Sequence, residues 1–142
     1  MHVKKILLLC TGNSCRSQMA EGFIRRFAGE KAHVYSAGIA AHGVNKRAIA
    51  CMHEIGIDMT GHTSNQVNEY ANLVFDYVIT VCDHAQESCP VVPYTASKIH
   101  QSFADPAKAS GSEEEIQSMF RVVRDQIGAF CLEFVNTYIL TN

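Results

Sequence analysis

Short apolar runs alternate along the chain with stretches that are apolar on one face only. Val3–Leu9 is, apart from one Lys pair, a continuous apolar run, the pattern of a strand buried on both faces. From Arg16 to Ala28, Met19, Phe23, Ile24 and Phe27 recur at helical spacing, and Gly29 supplies a C-terminal stop. His33–Ser36 reads as a second strand ending at Ala37-Gly38, and Asn45–Ile55 as a helix closed by Gly56. Asp76–Val81 is a third strand with a β-branched centre, and Ser97–Phe103 a weaker fourth. Near the end, Ser112 with Glu115 three residues on forms a capping-box signature. Ile116, Met119, Phe120, Val123, Ile127, Phe130, Phe134 and Tyr138 then recur every three or four residues, which predicts a long amphipathic helix laid on a sheet.

Strands alternating with helices predict an α/β fold: a doubly wound, four-stranded parallel sheet with helices on both faces. Right-handed crossovers restrict the topology, and the strand order expected is 2-1-3-4. The 142 residues suit one domain spanning 1–142, and an apolar share of 47% allows a full core. No repeat, low-complexity tract or linker interrupts it. A net charge of −2 gives no support for a nucleic-acid or membrane-surface partner. The longest apolar run near the start, Ile6–Cys10, is too short for a signal-peptide core or a membrane span, so a cytoplasmic location is expected. A monomer is the default expectation. Six cysteines without a secretory signal point to catalysis or redox chemistry rather than to a disulfide framework.

The chemistry concentrates at Cys10-Thr11-Gly12-Asn13-Ser14-Cys15, closed by Arg16-Ser17. Cys10 is expected one residue past the first strand, where open parallel sheets bind their ligands. The loop Thr11–Cys15 turns directly into a helix, so its backbone N–H groups can form an anion nest backed by the helix N-terminus. Gly12 lets the backbone turn where a side chain would clash, and Asn13 tolerates left-handed angles. Arg16 can fork two N–H donors onto two oxygens of a tetrahedral oxyanion. The same field is expected to lower the Cys10 pKa, with the Ser17 hydroxyl pulling the same way. The absence of a following Gly-Lys-Ser/Thr excludes a Walker A loop, and the glycine spacing excludes a dinucleotide fingerprint.

The segment Cys10–Gly22 resembles the thioredoxin-coupled arsenate reductases, which share a fold with the low-molecular-weight protein tyrosine phosphatases. The likeness continues through Val34-Tyr35-Ser36-Ala37-Gly38, Ala41-His42-Gly43-Val44-Asn45, Thr80-Val81-Cys82, Cys89-Pro90 and Asp105-Pro106-Ala107. It spans essentially the whole chain. It implies a catalytic set of Cys10, Arg16, Asp105, Cys82 and Cys89. The oxyanion is held by Thr11, Gly12, Asn13, Ser14, Cys15, Arg16 and Ser17, where phosphate or sulfate can stand for arsenate.

If strands 1 and 3 are neighbours they lie about 4.8 Å apart, and a disulfide needs Cα atoms roughly 4.4–6.8 Å apart. Cys10 and Cys82, each expected one residue past its strand, can therefore meet. Cys89 follows Asp83–Ser88, a polar stretch suited to a short mobile helix. The resemblance then implies a relay: Cys10 attacks arsenate, a Cys10–Cys82 disulfide forms as arsenite leaves, Cys89 converts it to Cys82–Cys89, and thioredoxin reduces that pair. Small core filling by Cys82 and Cys89 is the bland alternative. Zinc is disfavoured, because Cys10-x4-Cys15 and Cys82-x6-Cys89 do not match two-cysteine knuckles and only His84 is adjacent.

Asp105-Pro106 follows strand 4 and reads from position alone as an ordinary Asp-Pro turn; the resemblance makes Asp105 the general acid. Phosphatases of the shared fold usually place aromatic residues after this Asp-Pro and a Pro at the position of Gln18. Ala107-Lys108-Ala109 and Gln18 here favour a small inorganic oxyanion. No organic cofactor is implied. Some reductases of this kind bind potassium, and the matching positions are Asn13, Glu21, Ser36, Thr63 and Asn65, with Asn65 in place of an acid, which weakens such a site. Cys15, Cys51 and Cys131 read as structural. His42, His53, His62 and His100 read as surface or loop residues, with His62 alone placed to tune the loop near Thr63. Some residual phosphatase activity is compatible with the reductase reading. Two rivals stay open: a phosphatase with the same loop, and a non-catalytic oxyanion-binding or thiol-sensing module.

Overall fold

Strand β1 (Lys4–Cys10) is apolar on both faces because it has a strand on either side and side chains packed above and below; Ile6 to Cys10 are all buried. In the computed structural model, which describes residues 2–83 and 96–141, it pairs with β2 (Ala32–Gly38) and β3 (Tyr77–Thr80), and β3 pairs with β4 (Ser97–His100). All pairings are parallel and the order is β2-β1-β3-β4, as the alternation of elements predicts.

The ends of the strands differ by a residue or two from the sequence reading, and the differences bear on the site. Cys10 is the last residue of β1, not the first beyond it, because its pairing with Gly38 extends the ladder one step. β3 ends at Thr80, although the Val81 N–H still donates to the Leu9 carbonyl at 2.9 Å. β4 is shorter than expected: beyond His100 the chain keeps contact with β3 through isolated bonds, Gln101 N–H to the Thr80 carbonyl and Phe103 N–H to that of Val81.

Helix α1 (Arg16–Ala28) has the bounds that its apolar spacing predicts. Helix α2 (Lys46–His53) is capped by Asn45, whose side chain accepts from the N–H groups of Arg47 and Ala48. It stops two residues short of the expected Ile55, before Gly56 at φ +83°. Helix α3 (Glu113–Phe134) starts with the Ser112/Glu115 capping box and continues into a π-helical turn, Val135–Ile139, where Tyr138 meets Phe134 and Tyr77. α3 lies close on α1 because Gly128 has no side chain: a Cβ there would sit 2.9 Å from the Phe23 ring. Buried Arg124 of α3 donates to the Cys51 carbonyl and Glu54 at the end of α2, which ties the helices together. Asp83–Ser88 beyond its first residue, and Cys89, lie outside the described residues.

Candidate active site

The turn from β1 into α1 is held from behind. The carbonyls of Thr11, Gly12 and Ser14 accept from the N–H groups of Ala40, His42 and Asn45, at 3.0, 2.9 and 3.1 Å. The Asn13 carbonyl accepts from Gln18 Nε2 at 3.1 Å and Ser64 Oγ at 2.9 Å. In planar trans peptides this turns the N–H groups of residues 12–15 the other way. Asn13 is at φ +48°, and its side chain is fully used: Oδ1 accepts from the Asn65 N–H at 2.8 Å, and Nδ2 donates to Ser17 Oγ and Ser36 Oγ. The left-handed backbone expected of Asn13 is thus fixed from three parts of the fold at once: α1, β2 and the segment 64–65.

Two glycines make this fit possible. A Cβ on Gly12 would lie 2.5 Å from His42 Nδ1. A Cβ on Gly38 would meet backbone on three sides, 2.4 Å from the Ala40 carbonyl oxygen, 2.7 Å from Asn13 N and 2.8 Å from the Thr11 oxygen. Gly38→Ala is expected to destabilise the protein by about 1–3 kcal/mol, read as a lower urea midpoint, and to weaken phosphate binding at the loop. An unchanged midpoint would show that the backbone yields at no cost.

The loop's other side opens into a cavity of about 240 Å³, lined by Cys10 and the loop together with Arg16, His42, Asp105 and Ala107. Arg16, the first residue of α1, donates from Nη1 to the Phe103 carbonyl at 3.1 Å, and its Nη2 lies 3.6 Å from Asp105 Oδ2. Its Nε is buried with no hydrogen-bond partner among the described residues, a donor that an oxyanion in the loop can satisfy. Asp105 is anchored by the Ala107 N–H on Oδ1 at 3.0 Å.

Cys82 hydrogen-bonds Cys10, and its Sγ lies 3.2 Å from Thr11 Oγ1; both thiols are buried. This reverses the expected effect on Cys10. Its pKa is pushed up, first by the Cys82 thiol and then by burial, against the downward pull of Arg16 and of the Ser17 N–H. Ser17 acts on Cys10 through its backbone, while its hydroxyl takes the hydrogen bond from Asn13. Cys15 is buried yet lines the cavity, with its thiol pushed up to about 12 by burial and by Asp105. Cys51 and Cys131 are buried in helix packing, and burial pushes both thiols up.

The five candidate potassium positions do come together behind the loop, but their atoms are engaged. Ser36 Oγ donates to Glu21 Oε1 at 2.6 Å, and Arg25 Nε donates to Glu21 Oε2 at 2.8 Å. Thr63 Oγ1 donates to Asn65 Oδ1 at 2.8 Å, and Asn13 Oδ1 is taken by the Asn65 N–H. The only carboxylate in the set already has its countercharge, so these residues do not fit a bound alkali cation. No group of three or more His, Cys, Asp or Glu suited to a metal occurs among the described residues.

Several residues of the site were not read from the sequence. Gln18, noted only as a departure from Pro, is fully buried: its Nε2 also donates to the Thr63 carbonyl, and its Oε1 meets His62 Nδ1 at 3.0 Å. His62, in a loop and with its side chain mostly buried, thus reaches the brace beside Thr63, the place expected of it. His42, read as a surface or loop residue, also lines the cavity, and His100 bridges Thr80 and Asp83 beside Cys82. Ser64 carried no signal beyond its residue type.

Such a loop can hold a tetrahedral oxyanion against a sulfur nucleophile, which defines a thiol-based enzyme acting on oxyanions. The family model for the low molecular weight phosphotyrosine protein phosphatases matches residues 5–139. The arsenate reductase of Halalkalibacterium halodurans is 48% identical over 137 residues, which cover 96% of this chain and 99% of that one. A solved arsenate reductase in a phosphate binding state is 34% identical, with a TM-score of 0.74, over 94% of this chain and 98% of its own. One in an oxidized state is 31% identical, with a TM-score of 0.76, over the same shares. The chain belongs to the low molecular weight phosphotyrosine protein phosphatase family and, within it, to the arsenate reductases. Among the described residues no helix is long and apolar enough to cross a membrane.

Proposed function

We propose that the chain reduces arsenate to arsenite by a relay of three thiols that thioredoxin resets. The observation that carries the reading is the pairing of Cys10 with a second buried thiol, Cys82, at the carboxyl ends of adjacent strands. A phosphatase has no need of that second sulfur.

Arsenate lies in the loop, with the N–H groups and Arg16 on its oxygens. Cys10 gives its proton to an oxygen of the bound arsenate and attacks arsenic as the thiolate; the sulfur–arsenic bond forms as one oxygen leaves as water with a proton from Asp105. Cys82 then attacks the Cys10 sulfur. A sulfur–sulfur bond forms, the sulfur–arsenic bond breaks with its electron pair left on arsenic, and arsenic(V) departs as arsenite. Cys89 attacks Cys82, which frees Cys10 as thiolate and leaves a Cys82–Cys89 disulfide. A dithiol of the thioredoxin type gives two electrons to that bond, which restores the two thiols, and is itself oxidised to a disulfide. Ala107 at the cavity, in place of an aromatic ring, supports a small inorganic oxyanion over an aryl ester.

The test is arsenate supplied with thioredoxin, thioredoxin reductase and NADPH. Steady NADPH loss that requires both arsenate and thioredoxin is expected. Hydrolysis of an aryl phosphate without arsenate-dependent NADPH loss would replace the reading by a phosphatase, and inactivity on both by an oxyanion-binding or thiol-sensing module.

A further inference from the structure

One face of α1 carries a charged pair that the reaction does not use. Glu21 and Arg25 are one turn apart, and Glu21 is buried while the Arg25 side chain is 55% exposed. Arg25 donates from Nε to Glu21 Oε2 and from Nη2 to the Val34 carbonyl of β2 at 2.7 Å. The other Glu21 oxygen takes the Ser36 hydroxyl, and Ser36 takes Asn13 Nδ2 at 3.0 Å. A single file of hydrogen bonds therefore runs from a guanidinium through a buried carboxylate to Asn13, the one non-glycine residue with positive φ among those described.

A buried carboxylate holds its charge only with a countercharge close by. His62 does not supply it: its Nε2 is 3.8 Å from Glu21 Oε2, against 2.8 Å for Arg25 Nε, and its Nδ1 meets Gln18 Oε1. Arg25 does supply it. A cation added beside Glu21 would face that guanidinium across the same carboxylate, and like charges at such range repel. The cleft over this pair, about 460 Å³ and lined also by Asp58, Thr63, Asn65 and Tyr70, has room for one if the guanidinium is taken away.

We infer that Arg25 is the built-in cation of the Cys10 loop's brace: it holds Glu21, and through Ser36 holds Asn13, so that this chain needs no alkali metal to keep its loop in shape, and its removal opens a monovalent-cation site at Glu21, Ser36 and Asn65. Arg25 is a positioning residue; it touches nothing that reacts. The inference does not depend on arsenate reduction, since it concerns the shape of an oxyanion loop that phosphate can probe.

Thermal unfolding and inorganic phosphate binding are measured in potassium chloride and in choline chloride at equal ionic strength, for wild type, Arg25→Met and Arg25→Lys. Wild type is expected to give the same midpoint and phosphate affinity in both salts. Arg25→Met is expected to bind phosphate several-fold more weakly in choline, with potassium restoring both affinity and midpoint saturably, as a ligand of the folded state does. Arg25→Lys, which keeps a charge, should stay indifferent to the salt. A saturable, potassium-specific rise in the wild-type midpoint would overturn the inference, and this measurement stands even if Arg25→Met fails to fold. An Arg25→Met loss of equal size in both salts would overturn it too, since the arginine would then be a packing residue.

Discussion

Cys82→Ser is expected to abolish arsenite release while leaving the oxyanion loop folded and able to bind phosphate. Serine is close in size to cysteine, and position 82 is buried beside the Thr11 hydroxyl, where a serine hydroxyl finds a ready partner. What is lost is the sulfur of Cys82, the hydrogen-bond partner of Cys10. An alcohol does not displace arsenic from sulfur to make a disulfide, so the cycle halts at the Cys10–arsenic bond. Cys89→Ser is expected to behave differently: one arsenite per chain is released, a Cys10–Cys82 disulfide accumulates, and turnover then stops. NADPH-coupled turnover together with arsenite counted per chain distinguishes the two. Steady arsenate-dependent turnover by Cys82→Ser would remove Cys82 from the relay. The variant also tests the upward push on Cys10, whose largest cause is Cys82 itself.

The centre of the site is legible in the sequence because it is contiguous: strand, loop and helix follow one another from Lys4 to Ala28, and the helix has the bounds its apolar spacing gives. Strand order follows from alternation and handedness. The brace behind the loop is not legible, for a physical reason. Thr63, Ser64 and Asn65 lie in an irregular segment with neither helical nor strand periodicity, and they act through backbone groups and short polar side chains that any loop carries. The isolated bridge between Gly38 and Gln66 brings that segment to the sheet edge. Cys10 shows a second limit. Helix terminus and Arg16 are local and argue for a lowered pKa, whereas burial and Cys82, 72 positions away in sequence, act through space and win. The positions matched to potassium show the same limit: their spacing does not reveal that Arg25, four residues after Glu21, already ion-pairs with the carboxylate.

Asp105→Asn is expected to slow the first chemical step by about 10²–10⁴-fold, the usual share of a positioned general acid. The carboxyl group is well fixed for that work. Pro106 restrains Asp105 to extended angles, observed at φ −84° and ψ 106°, and the Ala107 N–H holds Oδ1. Oδ2 lies 3.6 Å from the Arg16 guanidinium, at the mouth of the cavity that Cys10 shares. An oxygen held by Arg16 is therefore within reach of this carboxyl as it leaves arsenic. Asparagine keeps the size of the side chain and an oxygen for Ala107, so the turn should survive; it has no acidic proton to give. Rapid-quench measurement of the Cys10–arsenic adduct should show the slow step, while phosphate affinity, which needs the loop and Arg16 but no proton transfer, stays within a few-fold of wild type. A first step of unchanged rate would take Asp105 out of the chemistry and leave it as the cap of the Pro106–Lys108 turn. A loss of phosphate binding as large as the loss of rate would make it a partner that orients Arg16. Only the split between binding and rate assigns it the proton.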